Sequence, residues 1–173
     1  MKRIVTALAL LLSLSLAPAA FGANGMKLGS VDIQKVLLLS EPGKSAKEQL
    51  ALKANKYESE KNTREEELKK LKAELEKQSV LLSESARSSK EKDYQQKLKE
   101  YQRFLKDAQD DLQAKNDELT SRLVDEIVKV IQEYGKKNDY TFIFVKNEGM
   151  IYIDDKADMT DEVLKLYNAS KKK

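Results

Sequence analysis

The chain has 173 residues, of which 35% are charged and 6% aromatic, and it contains no Cys, His or Trp. Without Cys and His there is no disulfide, no thiolate nucleophile, no imidazole base and no usual zinc ligand set. The formal net charge of +3 falls to about +1 once Lys2 and Arg3 leave with the first segment, which gives no general attraction to nucleic acid.

Met1-Lys2-Arg3 is a basic start, and Ile4 to Leu16 is an apolar run too short for a comfortable membrane span. Small residues follow at Ala17, Ala19, Ala20 and Gly22, so a secretion signal is expected over 1–22, cut between Ala19 and Ala23. No Cys follows the apolar core to carry a lipid anchor. The expected localisation is therefore outside the cytoplasm.

Residues Lys27 to Val36 alternate as a strand and then start a helix, with an apolar run at Val36 to Leu39. Ser40-Glu41-Pro42-Gly43 breaks the pattern. Ser45-Ala46-Lys47-Glu48 has the form of a capping box, which predicts the start of a long helix there. From Gly43 to Gly135 the chain has no Pro and a 3-4 spacing of apolar residues. The ascending seam is Leu50, Ala54, Tyr57, Lys61, Arg64, Leu68, Leu71, Leu75, Gln78 and Leu82. The descending seam is Tyr94, Leu98, Tyr101, Leu105, Ala108, Leu112, Lys115 and Leu119. Alternating steps of three and four are the register of a left-handed coiled coil. The serine-rich stretch Ser83 to Ser89 is the expected reversal between the two helices.

After Leu119 the stripe widens through Leu123, Ile127 and Ile131, so this section should leave the seam and pack on the base. Gly135 is the expected left-handed helix stop. Tyr140 to Val145 is apolar on both alternating faces and reads as a doubly buried strand. A turn at Lys146 to Gly149 would return it as a β-hairpin through Met150 to Ile153. Acidic residues at Asp158 and Asp161 then open a final helix whose apolar face is Val163, Leu166 and Tyr167.

The expected fold class is α+β: a small β body with a long antiparallel α-helical coiled-coil hairpin arm. The body is discontinuous, 23–43 with 136–173, and the arm covers 44–135 with its tip near 83–90. A body this small makes a poor core alone, so oligomerisation through its strands is expected. Candidate oligomerisation residues are Val31, Ile33, Phe142, Phe144, Ile151 and Ile153. The arm, with Lys61, Arg64, Gln78 and Lys115 in its seam, should be helical yet compliant.

The end motifs carry a family resemblance. Leu28-Gly29-Ser30-Val31-Asp32-Ile33-Gln34-Lys35-Val36 with Ser40-x-x-Gly43-Lys44 resembles the opening of the Skp/OmpH family of periplasmic chaperones. Ile151-Tyr152-Ile153 with Asp158-Met159-Thr160-Asp161-x-Val163 resembles its close. The resemblance implies a jellyfish-like homotrimer, with a barrel-like body and three helical tentacles. It also implies a periplasmic holdase that uses no ATP and encloses unfolded outer-membrane proteins. No cofactor, metal or catalytic residue is expected. The family's best-known members are strongly basic, and this chain departs from them.

Two surfaces stand out as client-binding candidates. The distal arm is basic at Arg87, Lys90, Lys97, Lys99 and Arg103, and reads either as a patch for acidic clients, lipopolysaccharide or an anionic membrane surface, or as a solvated coiled-coil face. Val80, Leu81 and Phe104 lie beside the strict seam; they would touch clients or widen the hairpin interface. The rival function is a coiled-coil envelope adaptor or structural protein. The run Asp154, Asp155, Asp158 and Asp161 lacks calcium-loop spacing and reads as helix capping.

Overall fold

The computed structural model describes residues 26–78 and 83–171. The elements in chain order are strand β1 (Leu28–Val31), helix α1 (Ile33–Leu39), helix α2 (Glu41–Gln78), helix α3 (Glu84–Lys137), strand β2 (Phe142–Val145), a 3-10 turn (Asp155–Ala157) and helix α4 (Thr160–Ser170). α2 and α3 pack as the hairpin arm, and the remaining elements gather around the base of α3.

α1 starts where Asp32 accepts the Lys35 N–H at 2.8 Å, a side-chain cap on a free helix donor. It ends one residue before the arm. The Ser40 hydroxyl accepts the Gly43 N–H at 3.1 Å, and the Ser40 carbonyl accepts the Lys44 N–H at 2.9 Å. The long helix therefore begins at Glu41, not at the predicted Ser45 capping box; Ser45 instead accepts from Gln49. Pro42 is tolerated because the first turn has no intrahelical partner for its nitrogen. Gly43 is dictated by sterics: a Cβ there would run into the Leu37 carbonyl oxygen. Ser40-x-x-Gly43 is thus the corner that folds α1 onto α2.

The seam of the arm follows the sequence pattern. Leu50, Ala54, Tyr57, Lys61, Arg64, Leu68, Leu71 and Leu75 are all half-buried. On α3, Ala108 and Leu119 are buried, and Tyr94, Leu98, Tyr101, Leu112 and Lys115 are half-buried. One step differs: Phe104 takes the inward position and Leu105 is 38% exposed. The serine stretch is not the reversal either, because α3 already runs from Glu84, with Ser83 as its cap. Gln78 ends the described part of α2, and Val80, Leu81 and Leu82 lie outside the described residues.

Beyond Leu119 the stripe turns into the base as expected. Leu119, Leu123 and Ile127 form one buried cluster with Val31, Val36, Ala46, Met159, Val163 and Tyr167. The buried Tyr167 hydroxyl donates to Glu126 at 2.6 Å, and Lys171 closes on the same carboxylate at 2.9 Å. Burial and that hydrogen bond push the Tyr167 phenol far above its ordinary range.

Two expectations fail here. Gly135 does not stop α3, which continues to Lys137. Its missing Cβ serves the crossing of β2, since a Cβ would stand 2.8 Å from Ile143 Cδ1, and the left-handed residue is Asp139 at φ 55°. The β-hairpin is also absent. β2 pairs with β1 in parallel, Leu28 opposite Phe142 and Val31 opposite Val145. Asn147 does form a turn, accepting from Gly149 and Met150, but residues 150–153 do not pair with β2. The other side of β1 instead takes Met159, whose N–H donates to Ser30 O at 2.9 Å.

Candidate functional site

Two surfaces separate from this frame: an apolar face on the body and the charged rod of the arm. The apolar face is set by β2. Pairing with β1 places Ile143 over Gly135 and leaves Phe142 55% and Phe144 46% exposed, their rings stacked at 6.2 Å. β2 is therefore not buried on both faces, contrary to the sequence pattern. Ile151 is 100% and Tyr152 82% exposed, and Ile153 is half-buried. Beside β2 runs a groove of about 390 Å³ walled by Val31, Ile33, Val128, Ile131 and residues of β2. The structure thus brings four of the six candidate oligomerisation residues, Val31, Ile33, Phe142 and Phe144, to one groove. Val31 itself is enclosed by its own chain.

The arm is held by a polar and aromatic section between leucine-sealed ends. Asp111 on α3 accepts the Tyr57 hydroxyl at 2.5 Å and pairs with Lys53 at 2.5 Å. Those hydrogen bonds, from Lys53 first and then Tyr57, hold its carboxyl below the usual range. The same bond raises the Tyr57 phenol. The Tyr57 ring meets Phe104 edge-on at 6.0 Å, and Arg64 lies 4.6 Å over the same Phe104 ring while binding Glu60 at 2.6 Å. Tyr101 reaches Glu65 across the hairpin. Phe104, beside the strict seam in the sequence pattern, thus turns its ring inward and widens the hairpin interface. Sequence reading missed Lys53 and Asp111; the signal was an acid one position before seam Leu112, opposite a lysine one position before seam Ala54.

The basic distal residues divide into two groups. Arg87 pairs with Glu91 at 3.0 Å, Lys90 with Glu74 at 2.8 Å across the hairpin, and Lys97 with Glu100 at 3.9 Å. Lys99 and Arg103 are exposed and enter no ion pair among the described residues. In the acidic run, Asp158 accepts the Thr160 N–H at 2.9 Å and pairs with Lys146 at 3.2 Å. Burial alone would raise the Asp158 pKa, but the bonds from Thr160 and Lys146 outweigh it and lower it. That carboxylate is the tie between α4 and the end of β2.

A long antiparallel helical hairpin rising from a small α+β base defines an arm-and-body protein. The sequence matches the family described as Outer membrane protein (OmpH-like) over residues 27–167, and the chain belongs to that family. Its fold is similar to the crystal structure of a proposed outer membrane chaperone (OmpH-like) from Caulobacter crescentus CB15. The TM-score is 0.79 at 17% identity, covering 84% of this chain and 85% of that one. No curated protein matches the sequence.

Proposed function

We propose that this protein is an ATP-independent holdase of the periplasm that encloses unfolded outer-membrane β-barrel proteins between the arms of a homotrimer. The observation that carries the reading is the pairing of a long, half-exposed hairpin with a body whose β2 face is left apolar, within an OmpH-like chain. Phe142, Phe144 and Ile151 are large apolar side chains left open to solvent, and burial between copies would cover them. Copies joined at the body would hold their arms around a shared space. The seam's half-burial favours arms that splay to admit a client. Many weak contacts along them would hold it without trapping it, at the raised effective concentration of a confined chain.

The test is suppression of aggregation when a denatured outer-membrane β-barrel protein is diluted from urea, at about one trimer per client. Solution mass is followed in parallel. Phe142→Asp with Phe144→Asp is expected to yield a folded monomer that no longer protects the client. A wild-type monomer that leaves aggregation unchanged would sink the proposal in favour of an envelope adaptor.

A further inference from the structure

A second 3-4 stripe runs down α3 on the side away from the seam, and its charge changes sign halfway. At about 100° per residue, Lys92, Lys99, Arg103, Asp110, Asp117 and Asp125 all fall on the half of the helix opposite Ala108 and Leu119. All six are exposed. The distal three are cations and the proximal three are anions, and the switch falls between Lys106 and Asp107, both exposed. The usual fate of such charges on a solvated helix is pairing along the same helix, as for Arg87 with Glu91 or Lys115 with Glu118. None of these six is in an ion pair among the described residues; Asp117 accepts only the amides of Gln113 and Asn116.

We infer that the outer face of α3 is a self-complementary surface for a second copy of this chain, docked arm against arm in antiparallel sense. A two-fold axis near the Lys106–Asp107 switch would set Arg103 against Asp110, Lys99 against Asp117 and Lys92 against Asp125. About that axis Arg103 and Asp110 are in register, whereas Asp117 and Asp125 lie about 4.5 Å and about 6 Å along the helix from the points opposite Lys99 and Lys92, offsets that long Lys side chains span. The symmetry repeats each pair, so six bridges form in one contact. Between the charges the stripe carries Ala114 and Ser121, small enough to let two helices approach. A parallel neighbour would set cation against cation and is disfavoured. Exposed pairs are weak singly and screened by salt, so this contact is reversible and favoured at low ionic strength. It lies on the arm and is independent of the apolar body face. Arms of two body-assembled cages could thereby interlock.

The experiment is sedimentation of the full mature protein at about 20 mM and about 500 mM salt. Variant one carries Lys99→Glu and Arg103→Glu, and variant two carries Asp110→Lys and Asp117→Lys. Wild type is expected to show a salt-sensitive doubling of mass above its body-assembled state. Each variant alone should lose it, with association weakened at least about tenfold. An equimolar mixture should recover it, because the altered faces complement each other. Helicity by circular dichroism confirms that each variant is folded. The proposal is overturned if the mixture associates no better than either variant alone, or if wild-type mass ignores salt. It is equally overturned if variant one loses only binding to anionic vesicles, which would make the cations a lipid surface. Loss of the body assembly itself would show in the high-salt mass and would count against the proposed trimer instead.

Discussion

The base and the arm of this molecule use the same helix, α3, in opposite ways. Toward its C-terminal half α3 puts Leu123 and Ile127 into a cluster where Val31, Val36, Val163 and Tyr167 are wholly enclosed. Toward its N-terminal half the same spacing buries little: Tyr94, Leu98 and Tyr101 are half-exposed, and their neighbours on α2 no less so. An inward leucine is therefore not a fixed quantity of stability. It gains in proportion to the number of elements that close over it. The buried cluster that holds Ile127 draws on three other helices and strand β1, whereas Leu71 lies on the arm, where α2 packs on α3 alone.

The sharpest break in that comparison is a paired truncation. Ile127→Ala should cost about 4 kcal/mol in denaturant unfolding, because the rigid cluster cannot collapse into the void. Next is Gly43→Ala, expected to cost about 3 kcal/mol although it adds only a methyl, because the obstacle is the Leu37 backbone. Leu71→Ala, chemically as large a deletion as Ile127→Ala, should cost about 1 kcal/mol. Its effect should be confined to faster amide exchange in the distal arm. A global cost for Leu71→Ala equal to that of Ile127→Ala would erase the distinction between the two regions.

The smallest effect is a pH dependence. The Asp111 carboxyl is lowered in the folded arm by Lys53 and Tyr57. Its contribution is full above the ordinary carboxylate range and is lost as pH falls through its folded value. Asp111→Asn should therefore melt slightly below wild type at neutral pH, and the two midpoints should converge in acid. Midpoints that stay equally separated through acid would show that Asp111 acts through its shape alone.

Much of this was legible from spacing. The seam, the turn of α3 into the base after Leu119 and the burial of Val163 and Tyr167 all follow from a 3.6-residue period meeting apolar side chains. The misreadings share a cause: local signals were overridden by contacts distant in sequence. Ser45-x-x-Glu48 is a valid cap motif, but Ser40 caps earlier because α1 packs back on α2. Gly135 has the residue type of a left-handed helix stop, yet it is a clearance for Ile143. Tyr140 to Val145 and Met150 to Ile153 look like hairpin strands, yet β2 pairs with a segment from the other end of the chain. Phe104 and Leu105 are adjacent apolar residues; only the Tyr57 ring and the Arg64 guanidinium on the facing helix decide which turns inward.

One consequence concerns birth order. Lys27, at the start of β1, donates to Asn138, 111 residues later, and the two strands run parallel. A polypeptide emerging amino end first must keep its opening strand waiting until nearly everything else has arrived. Closing so long a span from a random coil is entropically slow. The folded arm spans most of that separation as a hairpin and returns the chain to the base, so the two strands are left a short closure in place of a long one.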